Sequence, residues 1–116
     1  MLIVDDHRGF RDLARAFLQS HGYRVVGEAI DGAEALCAAR RLRPDVVLLD
    51  VHLPDLDGFE VARRMGAAGN TPAVVLVSSR DQRDFGRRVR DSGARGFISK
   101  TDLTGQALDA TLSGAP

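Results

Sequence analysis

Four short apolar runs in the chain each stop at a polar residue able to handle phosphate or a metal ion. Leu2-Ile3-Val4 leads into Asp5-Asp6, and Val46-Val47-Leu48-Leu49 into Asp50. Ala73-Val74-Val75-Leu76-Val77 leads into Ser78, and Gly96-Phe97-Ile98-Ser99 into Lys100. If these runs are parallel strands, their C-terminal ends share one edge of a sheet, where open α/β folds place their sites. That edge would gather three carboxylates, a hydroxyl and an ammonium. Three carboxylates within about 5 Å repel one another by roughly 3 kcal/mol per pair at an effective dielectric near 20. A hard divalent cation removes that cost, and Mg²⁺ commonly binds one or two carboxylates together with phosphate oxygens. A carboxylate is also a legitimate phosphoryl acceptor. Metal, ammonium and hydroxyl would then balance the charge spread over the phosphoryl oxygens. Against fifteen Arg the chain has one Lys, and it falls at this edge. The site therefore asks for a compact point charge rather than a planar fork.

The elements that would position these groups alternate from end to end. Phe10, Leu13, Ala14, Phe17 and Leu18 recur at helical spacing and give helix one, ended by His21-Gly22. Arg24 to Ala29 reads as strand two, and Asp31 can cap a second helix with Ala33, Leu36, Cys37 and Leu42 as its inner face. Pro44 stops that helix before strand three. Leu53 to Gly58 is a polar loop before helix three, with Phe59, Ala62 and Met65 facing inward, and Gly66 to Pro72 leads on to strand four. Helix four, about Asp81 to Ser92, has only Phe85 and Val89 as large apolar anchors. Helix five runs from about Asp102 to Ser113. Five βα units predict an α/β, flavodoxin-like doubly wound parallel sheet in the order 2-1-3-4-5. Helices one and five would share one face, and two, three and four the other.

Composition narrows the class. A chain of 116 residues is one domain by length, expected to span 1–116, and 44% hydrophobic with 28% charged residues is ordinary for a soluble globular protein. Sixteen acids balance sixteen bases, so overall charge gives no reason for nucleic-acid or membrane attraction. Cys37 is alone, which excludes an internal disulfide and points to a reducing compartment. With no membrane-length apolar run and no signal peptide, the expected location is cytoplasmic.

Taken together, Ile3-Val4-Asp5-Asp6-His7, Leu48 to Gly58, Val75-Leu76-Val77-Ser78-Ser79 and Gly93 to Lys100 resemble the receiver domain of two-component response regulators. The resemblance covers essentially the full length, and motifs at four strand ends in order are far more specific than any one alone. Gly96 to Leu103 looks most like the subfamily whose members carry a C-terminal helix-turn-helix of the LuxR/NarL kind. The resemblance implies that Asp50 takes a phosphoryl group from a sensor histidine kinase. It also implies Mg²⁺ held by Asp6, Asp50 and the backbone carbonyl of His52, with Asp5 acting through a bound water. Ser78 and Lys100 would contact phosphoryl oxygens, and Phe97 would be an aromatic switch that turns inward as Ser78 moves. Such a domain assists its own phosphorylation and dephosphorylation, is not otherwise an enzyme, and serves in transcription regulation. A homodimer through helix four, strand five and helix five, or through helices one and five, is an associated expectation. For the former, Arg83, Arg87, Arg88 and Arg90 would face Asp102 and Asp109, with Leu108 and Leu112 offering exposed apolar surface.

Some features depart from that pattern or admit other readings. Thr101 follows Lys100 where many receivers have a proline reached through a cis bond, and His52 and Arg80 stand at positions that vary among receivers. Asp55-Leu56-Asp57-Gly58 resembles the aspartate loop of haloacid-dehalogenase phosphatases, although the strand here ends at Asp50. A pseudo-receiver, never phosphorylated, would share the fold but typically lacks one or more of these residues. His7 is expected to border the site, and Cys37 is expected to be a small core residue.

Overall fold

Side chains alternate across a β-strand with a period of two, so a strand covered on both faces must be apolar at every position. β1 (Leu2–Val4), β3 (Val46–Asp50) and β4 (Ala73–Ser78) have that character, and they form the centre of the sheet. The computed structural model describes residues 1–67, 72–79 and 85–114. With β2 (Gly27–Ala29) and β5 (Gly96–Ser99) at the edges, all neighbours pair in parallel in the order β2-β1-β3-β4-β5. The helices are α1 (Arg8–Ser20), α2 (Gly32–Leu42), α3 (Gly58–Ala67), α4 (Arg87–Asp91) and α5 (Gly105–Leu112).

The alternation divides the core in two. Leu2, Val4, Val47, Leu49, Val74 and Leu76 pack with α2, α3 and α4. Ile3, Leu48, Val75, Val77 and Ile98 pack with α1 and α5 through Ala14, Leu18, Leu103 and Leu108. Each fully buried Leu or Ile contributes about 1.5–3 kcal/mol relative to exposure. The expected grouping of the helices therefore holds, and so do the Asp31 cap on Glu34 N, at 2.8 Å, and the turn at Gly22 with φ of 100°. Phe85 and Val89 are the buried anchors expected beneath helix four.

Several expectations need correction. Strand two is only Gly27–Ala29, and ahead of it Val26 N donates to Met1 O at 2.8 Å outside the regular ladder. The Met1 ammonium instead donates to Arg24 O at 2.7 Å. Leu13 is 63% exposed, since Ala14 and Leu18 take the core stripe and Leu13 lies about 100° around the helix from Ala14. Ala33 and Cys37 are exposed on α2, where Ala35 and Ala38 are buried instead. Apolar residues of an alanine-rich helix do not by themselves mark the inner face. The segment Lys100–Asp102 is a 3-10 turn, and α5 starts only after Thr104, whose side chain accepts from Ala107 N at 3.0 Å. No cis peptide bond occurs among the described residues. Helix four begins only at Arg87, after a turn at Phe85–Gly86 where Gly86 has φ of 44°, and residues 81–84 (Arg83 among them), the 68–71 connection and Arg80 lie outside the described residues.

Gly58 is the glycine that the site cannot exchange. A Cβ there would lie 2.4 Å from Asp50 O and 2.9 Å from Val51 Cα, because Gly58 N donates to Val51 O at 2.7 Å. Gly66, near the end of α3, has open space for a Cβ. Gly58→Ala is expected to lose about 1–3 kcal/mol in urea unfolding, whereas Gly66→Ala should be neutral or gain up to about 1 kcal/mol. Equal effects of the two would remove the close approach as the reason for Gly58.

Candidate functional site

Register brings the four strand ends level. Val4 pairs with Leu49, so Asp5 follows beside Asp50; Asp50 pairs with Val77, and Ser78 pairs with Ser99, one residue before Lys100. Asp5, Asp50 and Ser78 are buried, Lys100 is half-buried, and Asp6 faces solvent. The Lys100 ammonium lies 2.6 Å from Asp5 Oδ2 and 3.8 Å from Asp50 Oδ2. The sequence-predicted Asp5, Asp6, Asp50 and Lys100 are thus brought together. His52 N donates to Asp50 Oδ1 at 3.4 Å, so the turn after β3 folds back over the carboxylate. Phe97 is half-buried at the other end of the edge and packs against the core that carries α4.

Electrostatics at this edge are uncompensated. Burial, and then the negative charge of Asp5, push the Asp50 carboxyl up to about 6, while Lys100 and the His52 N–H pull the other way. Asp5 is fully buried, and its Oδ2 accepts no aligned hydrogen bond despite the ion pair with Lys100. One ligand atom from each of Asp5, Asp6, His7 and Asp50 lies within 4.8 Å of the others. A donor set of crowded carboxylate oxygens fits a hard divalent cation.

Other residues hold this arrangement, and sequence reasoning missed most of them. Phe10, in the first turn of α1, places its ring 4.4 Å from the Lys100 ammonium. Arg11 donates to Asp5 O at 2.8 Å and to Glu28 at 2.9 Å, and Arg15 reaches the other Glu28 oxygen at 2.8 Å. No local spacing reveals that fork, because Glu28 comes from the neighbouring strand. His7 Nδ1 lies 3.2 Å from Asp5 Oδ1 and 3.1 Å from Asp6 Oδ1.

The loop after β3 is tied on both sides. Asp55 accepts from Gly32 N and Ala33 N at 2.7 and 2.9 Å, holding the loop to the start of α2. Asp57 accepts from Glu60 N at 2.9 Å and thereby caps α3, a pattern legible in Asp57-Gly58-Phe59-Glu60. Its other oxygen pairs with Arg88 of α4 at 3.0 Å, and that guanidinium lies 4.3 Å from the Phe59 ring centre. Phe85 then touches His52, Phe59 and Phe97 at ring-centre distances of 6.0, 5.4 and 5.5 Å. An aromatic chain thus runs from the residues beside Asp50 to β5.

The surface expected for self-association is altered by the same contacts. Leu108 is fully buried rather than exposed, because it faces the sheet. Asp109 is held within the chain by the Tyr23 hydroxyl and by His21 Nε2, the latter at 2.9 Å. Arg88 is likewise occupied by Asp57.

Comparison with known proteins gives a consistent result. Residues 1–111 match the model of the response regulator receiver domain. The transcriptional regulatory protein PdtaR of Mycobacterium tuberculosis is 41% identical over 101 residues, 86% of this chain and 48% of that protein. The protein-glutamate methylesterase/protein-glutamine glutaminase 3 of Hahella chejuensis is 49% identical over 80 residues, 68% of this chain and 23% of that protein. A two-component response regulator of the LuxR family from Aurantimonas superposes with a TM-score of 0.87 at 30% identity, covering 97% of this chain and 84% of that one. The chain spans about half the length of the transcription regulators it matches.

The raised Asp50 value carries a sign that can be tested. A folded-state value above the unfolded carboxylate value means that the folded form holds the proton more tightly. In metal-free protein the group therefore costs stability above pH 6, and the cost fades as pH falls toward the unfolded value near 4. Asp50→Asn in chelator is expected to be more stable than the parent near pH 7.5, by on the order of 2 kcal/mol. The difference should shrink near pH 5. Urea unfolding at both pH values checks this.

Proposed function

The chain belongs to the response regulator receiver family, and on that premise we propose that Asp50 is its phosphoacceptor in two-component signalling. The observation that carries this reading is the Asp50 carboxylate, 3% exposed at the end of β3, between Asp5 and the Lys100 ammonium. An Asp50 oxygen attacks the phosphorus of a phosphohistidine on a sensor kinase. The O–P bond forms, the P–N bond breaks, and the departing imidazole keeps the electron pair and takes a proton from water. Asp6, Asp50 and the His52 carbonyl, with Asp5 through a bound water, would hold Mg²⁺, and the ion would supply charge neutralisation at the phosphoryl oxygens. Lys100 pairs with one phosphoryl oxygen and Ser78 donates to another.

The response then travels to α4. Ser78 drawn toward the phosphoryl group leaves room that the Phe97 ring fills, and Phe85, packed on Phe97, shifts with it. The α4 segment has few buried anchors and so moves at low cost. Regulation of transcription is the output that the regulators among its relatives suggest, with the chain acting as a signalling domain rather than on a substrate of its own. No helix among the described residues is long and apolar enough to cross a membrane, in keeping with a cytoplasmic partner kinase. The phosphatase reading loses support because Asp55 and Asp57 serve as helix caps. A homodimer through α4, β5 and α5, or through α1 and α5, has less support than kinase docking, since Asp109, Arg88 and Leu108 are engaged internally.

Acetyl phosphate with Mg²⁺ is expected to add one phosphoryl mass to the chain, and none to Asp50→Asn or in chelator. Labelling of the Asn variant would overturn the assignment. Lys100→Ala should still take up the phosphoryl mass but lose the change in fluorine spectrum that labelled Phe97 gives with beryllofluoride and Mg²⁺. A full spectral change in that variant would take Lys100 out of the relay.

A further inference from the structure

His7 occupies the N-cap of α1, a position where Ser, Asp or Asn normally bonds to the helix N-terminus. It makes no side-chain cap bond; its backbone N donates to Asp5 Oδ1 at 2.8 Å, and its ring turns toward the carboxylates. Nδ1 stands 3.1 Å from Asp6 Oδ1 and 3.2 Å from Asp5 Oδ1. Neighbouring ligands in an octahedron with bonds of about 2.1 Å are about 3 Å apart. The His7 and Asp6 atoms therefore already have the separation of two adjacent donors on one ion. The imidazole and Asp5, Asp6 and Asp50 each bring one donor atom into a cluster no wider than 4.8 Å. The buried Asp5 Oδ2, which accepts no aligned hydrogen bond, lies 2.6 Å from the Lys100 ammonium, so Oδ1 is the Asp5 oxygen beside the His7 ring.

We infer that His7 is a nitrogen ligand of this metal site, which makes the chain select Mn²⁺ and the later divalent ions over Mg²⁺. This rests on the reading of the acidic edge as the cation site of a phosphoacceptor. A neutral imidazole offers one nitrogen lone pair when the other nitrogen carries the proton. Mg²⁺ keeps to oxygen donors and gains little from it, whereas Mn²⁺, Co²⁺ and Zn²⁺ accept imidazole and bind more tightly along that series. The ring is 72% exposed, so it can turn from a hydrogen bond with the carboxylates to metal ligation without disturbing the core.

Electron spin-echo spectroscopy of Mn²⁺ on the intact chain decides the matter, with His7→Phe and His52→Phe beside it. Expected is a ¹⁴N modulation of a directly bound imidazole, lost in His7→Phe and kept in His52→Phe. The ratio of Mn²⁺ to Mg²⁺ affinity, from competition titration, should fall roughly tenfold or more in His7→Phe. Mn²⁺ bound without imidazole modulation, or modulation that survives in His7→Phe, overturns the role of His7 and leaves the phosphoacceptor reading intact. Failure of the parent chain to bind either ion, together with no phosphoryl mass on Asp50, overturns both.

Discussion

Mutual repulsion among Asp5, Asp6 and Asp50, confined to one sheet edge with a single ammonium, is the constraint to which the surrounding structure answers. Two of the three carboxylates are buried, and Lys100 neutralises only one charge. The Lys100 ammonium is placed by the Phe10 face and Asp5, so the compensation is fixed in position rather than mobile. Arg11 adds a donor to the Asp5 carbonyl and is itself anchored by Glu28, which ties the carboxylate-bearing turn to β2. The edge remains electron-rich after these contacts. That residual negative charge is what a divalent cation would offset.

Gly58 and the two aspartates of the β3–α3 loop explain how such a charged turn stays close to the core. The loop returns so tightly that Gly58 donates to Val51 O, and Asp55 and Asp57 anchor it to the starts of α2 and α3. Asp57 also reaches Arg88, so one residue joins the loop after β3 to α4. Partly exposed ion pairs contribute at most about 1 kcal/mol, so this contact could be broken at low cost. Phe59, Phe85 and Phe97 carry the same connection through packing.

The sheet order, the faces taken by the helices and the convergence of Asp5, Asp6, Asp50 and Lys100 were legible because strand ends and apolar runs are local patterns. Contacts assembled from distant segments were not. Glu28 gives no sign in the sequence that it will hold Arg11 and Arg15, and Asp109 gives none that it will meet Tyr23. The inner face of α2 was misassigned because alanines lie on several sides of it, so burial of Ala35 and Ala38 against exposure of Cys37 follows from packing alone. The late start of α5 depended on the Thr104 cap rather than on apolar spacing.

The clasp formed by His21 and Tyr23 on Asp109 gives the molecule a mechanical asymmetry. It fastens the end of α1 to the middle of α5, with the His21 ring lying over Gly105, where no side chain intervenes. Behind the sheet, these contacts join the two helices to one another. In front, among the described residues, α4 buries Val89, follows the buried Phe85 and pairs with Asp57 through Arg88. A strain at the acidic edge would meet more fastening on the α1–α5 side than on the α4 side.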